Sequence, residues 1–332
     1  MGRPEPGKHL PPTLRPHDGV YPLVVILGPT ASGKSDLALS TAGRFGGEVI
    51  NFDAVQVYRG FEIGTAKTPP EQRRGIPHHL IDNAGPAEIF TAGDYARRAR
   101  AVVAEVRSRG RLPVMAGGTG FYLRAALEGL FSGPQRDENL RRRLSARAEQ
   151  KPAGHLHRVL ARLDPVSAAR IHRNDTPKII RAIEVRLRAR SPMSALWEQG
   201  RAPLEGFAVI RVGLNPAREL LRERIAARSA RMFSGGLLEE VRQLLDRGVP
   251  REARAFGSLG YRQALEHMQG LLTLEQAMEE TARLTRRYAK RQMTWFRREP
   301  GVNWFSGFGD DPTIVEQVLE LLEEKLTPYR GA

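Results

Sequence analysis

The sequence predicts an α/β protein in which a mostly parallel sheet is flanked by helices and interrupted by an all-helical insertion. Three observations carry this. Short, fully apolar runs alternate with amphipathic helical stretches, the pattern of parallel strands covered on both faces. The first run, Leu23 to Leu27, opens directly into a glycine-rich turn. From Pro134 to Arg201 the alternation is lost, with few β-branched runs and many Arg, Ala and Leu at helical spacing.

Taken in order, Met1 to Tyr21 is rich in Pro and Gly without periodicity, so residues 1–21 are expected to form a flexible arm. Leu23 to Leu27 reads as a buried strand and Lys34 to Arg44 as a helix. Glu48 to Phe52 and Leu112 to Ala116 are the second and third strands, with a helix over Ala92 to Arg109 between them. Ala208 to Leu214 and Val302 to Phe305 complete the sheet. Asn215 is expected to cap a helix that has Pro216 at its first position and runs through Phe233. Gly235-Gly236 should interrupt it. A further helix covers Thr281 to Arg298, with Leu284, Tyr288 and Trp295 on one apolar stripe. The α/β core therefore comprises residues 22–133 and 202–328, and the helical insertion 134–201.

With 332 residues, the chain is long enough for one large domain or two smaller ones. Its 41% apolar and 27% charged residues fit a globular protein. There is no cysteine, which excludes disulfides, thiolate metal sites and cysteine nucleophiles and fits a cytoplasmic protein. The early apolar run is too short for a signal peptide or a membrane span, so no membrane partner is expected. The formal charge is +15, and it is clustered. Ser132 to Gly200 holds 15 basic and 7 acidic residues, and Thr281 to Arg298 holds 7 basic and no acidic ones. Those stretches contain the whole excess, the footprint of a polyanionic partner or, more blandly, of arginine-rich solvated faces.

Gly28-Pro29-Thr30-Ala31-Ser32-Gly33-Lys34-Ser35 fits G-x-x-x-x-G-K-[ST] between a buried strand and a helix, which makes the fold P-loop NTPase-like. Glycines at this spacing let backbone N–H groups converge on phosphate oxygens at a helix N-terminus. Lys34 adds a point charge, and the Ser35 hydroxyl is a ligand for Mg²⁺, the one cofactor expected. The loop specifies a diphosphate or triphosphate without specifying a nucleotide.

GPTASGKS also resembles the corresponding loop of the tRNA dimethylallyltransferase (tRNA isopentenyltransferase) family. Further blocks resemble that family in its own order: Asp53 to Gly60 with Ile63 to Lys67, Pro77 to Asp82, Ala116 to Arg124, Gly257 to Arg262 and Lys290 to Arg297. One departure is Ala54, where the family usually has Ser.

The resemblance implies alkylation of N6 of adenosine 37, beside the anticodon of tRNA, by dimethylallyl diphosphate, with diphosphate leaving. It makes Gly28 through Ser35 the diphosphate loop, with Thr30 donating to the leaving oxygen. Arg228 is the second diphosphate-binding cation, with Arg224 as the alternative register. Asp53 becomes the general base; the other readings of such an aspartate are a Mg²⁺ ligand and a turn aspartate. Its position at a strand end, on the edge where open α/β sheets bind ligands, suits the base and ligand roles. Thr119, on the same edge, helps hold the adenine. Contacts to tRNA map by resemblance to Asp53, Ala54, Val55, Gln56, Thr119, Arg141, Pro177, Lys178, Ile179, Ile180, Arg181, Gly257, Ser258, Leu259, Gly260, Tyr261, Arg262, Lys290, Arg291, Gln292, Met293, Thr294, Trp295, Phe296 and Arg297. Arg142 and Arg143 are alternatives to Arg141. Tyr288 and Trp295 suit base stacking, although residues at apolar helical spacing are more often core. His78, His79, His155 and His157 lack a third ligand at metal-binding spacing, and His78-His79 reads as an irregular loop. The enzyme is expected to act as a monomer. The competing readings are an adenylate isopentenyltransferase, a P-loop small-molecule kinase and a non-catalytic RNA-binding module, the last of which leaves the phosphate loop and Asp53 unexplained.

Overall fold

A parallel strand buried on both faces can be apolar at every position, and β1 (Tyr21–Leu27) is: all of its residues are buried. The computed structural model describes residues 13–330. After β1 come α1 (Lys34–Phe45), β2 (Gly47–Asn51), β3 (His78–His79), α2 (Ala92–Ser108), β4 (Leu112–Gly117) and α3 (Gly120–Leu127). Five helices follow: α4 (Glu138–Gln150), α5 (His155–Leu163), α6 (Pro165–Arg170), α7 (Thr176–Ala189) and α8 (Met193–Glu198). The chain then returns through β5 (Phe207–Leu214), α9 (Arg218–Ser234), α10 (Leu237–Asp246), α11 (Tyr261–Met268), α12 (Leu274–Phe296), β6 (Val302–Phe305) and α13 (Pro312–Leu326). It divides into two compact units, the smaller being Glu128–Pro203. The expected insertion, 134–201, lies inside that unit.

In the larger unit the sheet runs β3-β2-β4-β1-β5-β6, all parallel. Side chains of β1 alternate between two cores. Leu23, Val25 and Leu27 join a cluster with α2, α3 and α10 to α12, whereas Val24 and Ile26 join one with α1 and α13. Register aligns the strand ends: Leu27 pairs with Gly117, and Asn51 with Ala116. The turns after β1, β2 and β4 therefore leave the sheet side by side.

In the smaller unit, Leu156, Leu160, Ile179, Ile183 and Met193 anchor a separate helical core. Asp164, 1% exposed, caps α6 and also accepts from the Ser194 N–H and hydroxyl, tying α6 to α8. Burial opposes its charge, but the Ser167 and Ser194 hydrogen bonds outweigh that and hold its carboxyl below the usual range.

Several expectations are corrected. Residues 1–12 of the expected arm lie outside the described residues, but the rest of it is tied down. Leu14 is buried, and the Arg15 N–H donates to the Tyr329 carbonyl (2.8 Å). His78-His79 is not irregular: it pairs with Val49 and Ile50 as the sheet's edge strand, and His79 Nε2 meets Glu48 at 2.7 Å. Asn215 does not cap α9. Its N–H donates to the Phe305 carbonyl, continuing the β5–β6 ladder, and the helix starts at Arg218 without a side-chain cap. α12 begins before Thr281, at Leu274, because Thr273 and Gln276 form a reciprocal capping box. Gly236, at φ 101°, does separate α9 from α10. No helix among the described residues is long and apolar enough to cross a membrane.

Candidate active site

The turn from β1 into α1 is fitted to its glycines. A Cβ on Gly28 would lie 3.0 Å from both the Leu214 carbonyl and the Ser32 hydroxyl. Gly33 sits at φ 81°, and a Cβ there would meet Asp310 Oδ1 at 2.7 Å. The Gly309 N–H donates to the Ser32 carbonyl, bracing the loop from outside. The Ser32 hydroxyl is fully buried and has no partner. Lys34 Nζ donates back to the Pro29 carbonyl (2.7 Å). Burial first, then the Arg228 guanidinium, push the Lys34 ammonium down to about 7, against the opposing pull of Asp53.

Arg228 projects from α9 into the same cleft. Burial lowers its own affinity for a proton, and Asp53 partly restores it. Arg224, one turn earlier, is ion-paired with Asp310 (2.6 Å) and lies 3.8 Å over the Phe308 ring. Of the two arginines, Arg228 is therefore the one grouped with Lys34 and Asp53.

Asp53 follows β2. Its Oδ1 accepts from the Val55 and Gln56 N–H groups (2.9 and 3.3 Å), which fixes the carboxylate by its own turn. Thr119 follows β4. Its Oγ1 accepts from the Ala54 N–H (3.0 Å), so it joins the Asp53 turn to the glycine turn instead of lining the cleft. Burial, and then the nearby Asp53 charge, raise the proton affinity of the Tyr288 hydroxyl. Thr30, Lys34, Ser35, Asp53, Val55, Gln56, Arg228, Tyr288, Arg291 and Gln292 share one cleft of about 1630 Å³. Gly257, Ser258 and Leu259 line it as well.

The other predicted contacts divide by burial. Pro177, Lys178, Arg262, Lys290, Thr294 and Arg297 are exposed, and Met293 is half-buried. Ile179, Ile180, Tyr261 and Phe296 have core side chains, and Gly260 is buried. Trp295 Cδ1 and Nε1 press on Gly120, and its ring lies 4.6 Å from the Arg124 guanidinium, which places it in the packing between α3 and α12. Arg141 and Arg181 both clamp the fully buried Glu184. Burial opposes that carboxylate's charge, yet Arg141, the Asp137 N–H and Arg181 bring it down to about 2. Arg142 and Arg143 are exposed.

Two features escape sequence reading. Lys67, its side chain 1% exposed, donates to the Tyr58 carbonyl, Glu62 and Asp82 and so staples the loop between β2 and β3. Gln292, 4% exposed, bridges two turns of the cleft. Its Oε1 accepts from the Thr30 N–H and its Nε2 donates to the Gly118 carbonyl, each at 2.8 Å. The resemblance places Gln292 only among the tRNA contacts; a bridge between two turns so far away in the chain has no local sequence signal. Among the described residues no group of three His, Asp or Glu is placed to hold a metal ion. A cation here would rest on Ser35 and on phosphate oxygens of a ligand, as Mg²⁺ commonly does.

A sequence model of the family described as IPP transferase matches residues 56–299. A tRNA dimethylallyltransferase of Solibacter usitatus is 56% identical over 299 residues, covering 90% of this chain and 97% of that one. One from Koribacter versatilis is 54% identical over 301 residues, 91% of this chain and 98% of its own. Among solved structures, the tRNA isopentenylpyrophosphate transferase of Bacillus halodurans superposes with TM-score 0.68 at 37% identity, over 92% of this chain and 97% of that one. A eukaryotic dimethylallyltransferase acting on tRNA gives TM-score 0.77 at 25% identity, over 93% and 80%.

Proposed function

The chain belongs to the IPP transferase family, and from that premise we propose that it transfers the dimethylallyl group of dimethylallyl diphosphate to N6 of adenosine 37 in the anticodon loop of tRNA. The observation that carries this is the meeting of Lys34, Arg228 and Asp53 in one cleft at the C-terminal edge of the sheet. An anionic leaving group and an amine that must lose a proton need those charges side by side.

The exocyclic amine is a weak nucleophile, because its lone pair is delocalised into the ring. As N6 bonds to the allylic carbon, Asp53 takes the amine proton and the carbon–oxygen bond breaks, its electron pair leaving with diphosphate. Lys34, Arg228 and the loop N–H groups neutralise the charge that gathers on the leaving oxygens. Thr30 faces that side of the cleft. Mg²⁺, held by Ser35 and the diphosphate, would add Lewis-acid neutralisation. The buried, unpartnered Ser32 hydroxyl supports a phosphate in this loop, since such a group is costly until it is paired.

Adenosine must leave the anticodon-loop stack to enter the cleft, which costs least in a single strand. Exposed Lys290, Arg291 and Arg297 can hold the backbone phosphates meanwhile. Relatives that act on tRNA, and the two basic stretches, support a polynucleotide acceptor over a free adenine nucleotide or a kinase substrate. We place the enzyme in the cytoplasm, as a monomer, where tRNA is available. The test is a nuclease digest of tRNA treated with dimethylallyl diphosphate and Mg²⁺. Adenosine 37 should gain one C5H8 unit, and a transcript carrying guanosine there should gain none. Modification of that guanosine transcript would refute the assignment.

A further inference from the structure

We propose that Gln292 is a positioning residue that fixes the separation between the donor loop and the acceptor turn; this rests on the prenyl-transfer reading above. Its amide bridges Thr30, in the turn after β1, and Gly118, in the turn after β4. Gly118 precedes Thr119, whose hydroxyl holds the Ala54 N–H beside Asp53. One side chain thus links the leaving-group side of the cleft to the base side. Its anchor is α12, a 23-residue helix with a capping box at its start.

Both turns are fitted to this amide. Thr30 offers a donor and Gly118 an acceptor, so the bridge must be neutral and must carry one group of each kind. Glutamine does so; glutamate has no donor for the Gly118 carbonyl, and asparagine is one methylene shorter. On the other side, a Cβ at Gly118 would run into the amide nitrogen of Gln292. At 4% exposure, Gln292 is also unlike Lys290, Arg291 and Thr294 of the same block, which are open to solvent. Reaction geometry is sensitive to such spacing, since a displacement of about 1 Å can cost about 10²-fold in rate.

The experiment uses the full chain with Gln292→Glu, Gln292→Met and Gly118→Ala. Three quantities are measured for each: affinity for dimethylallyl diphosphate with Mg²⁺ alone, affinity for unmodified tRNA alone, and the single-turnover rate with both saturating. The expected result is that both affinities stay within about threefold of wild type while the rate falls about 10²-fold in all three variants. A single-turnover rate within about threefold of wild type in Gln292→Glu would overturn the proposal. So would a loss of donor affinity in step with the rate, because Gln292 would then only maintain the donor loop. If the Gln292 variants do not fold, Gly118→Ala decides, since it disturbs the same bond from the opposite turn and keeps the glutamine. Wild-type enzyme that fails to prenylate tRNA would instead refute the functional reading.

Discussion

Lys34 is half-buried beside Arg228, and this sets a pH dependence. With its ammonium pushed down to about 7, free enzyme above that pH holds a largely neutral Lys34. An arriving diphosphate restores the charge, because an opposite charge nearby favours the protonated form. Binding should therefore take up a proton at pH 8 and little at pH 6. Calorimetry at pH 8 in buffers of different ionisation enthalpy measures that proton, and Lys34→Met should abolish it. Equal uptake at both pH values would show that Lys34 is charged throughout. At Asp53, replacement by Asn keeps an acceptor for the Val55 and Gln56 N–H groups but cannot take the amine proton. Single-turnover transfer should fall by about 10²–10⁴-fold with tRNA affinity retained. A loss below about tenfold would leave the base elsewhere.

Helices of the smaller unit separate two kinds of arginine that one run of sequence presents alike. Arg141, on α4, is paired with a carboxylate on α7 that has no exposure, whereas Arg142 and Arg143 face solvent. Arg141→Ala should destabilise that unit by about 1–3 kcal/mol, because Glu184 keeps Arg181 but loses a charged partner. Hydrogen exchange over α4 and α7 would report it. Neutralising Arg142 and Arg143 should leave that exchange unchanged and flatten the salt dependence of tRNA affinity by about 0.7 in log–log slope per lost phosphate contact. An unchanged slope would mean that these charges are only solvated surface.

The same contrast shows what the sequence made legible. The phosphate loop could be read because strand, glycine turn and helix are contiguous, so local rules suffice. Asn215 and His78-His79 misled because a ladder bond to Phe305 and an edge pairing with β2 are nonlocal. Gln292 bridges Thr30 and Gly118, each more than 170 positions away in the chain. No periodicity encodes that, and a polar residue inside a basic block looks like surface until the helix is docked.

At the scale of the whole molecule, register and charge converge on one account. Aligned strand ends bring three turns to one edge, where Lys34, Arg228 and Asp53 line one cleft. The excess of +15 is confined to two stretches, one within the smaller unit and one along α12. A small-molecule kinase has no use for that distribution, but a polyanionic acceptor does. The most direct measurement is an acceptor competition: wild-type enzyme, dimethylallyl diphosphate and Mg²⁺ with unmodified tRNA, AMP and ATP together, read by mass. One C5H8 unit is expected on tRNA, none on AMP, and ATP left intact. Prenylated AMP, or ATP consumed while the tRNA mass stays unchanged, would contradict it.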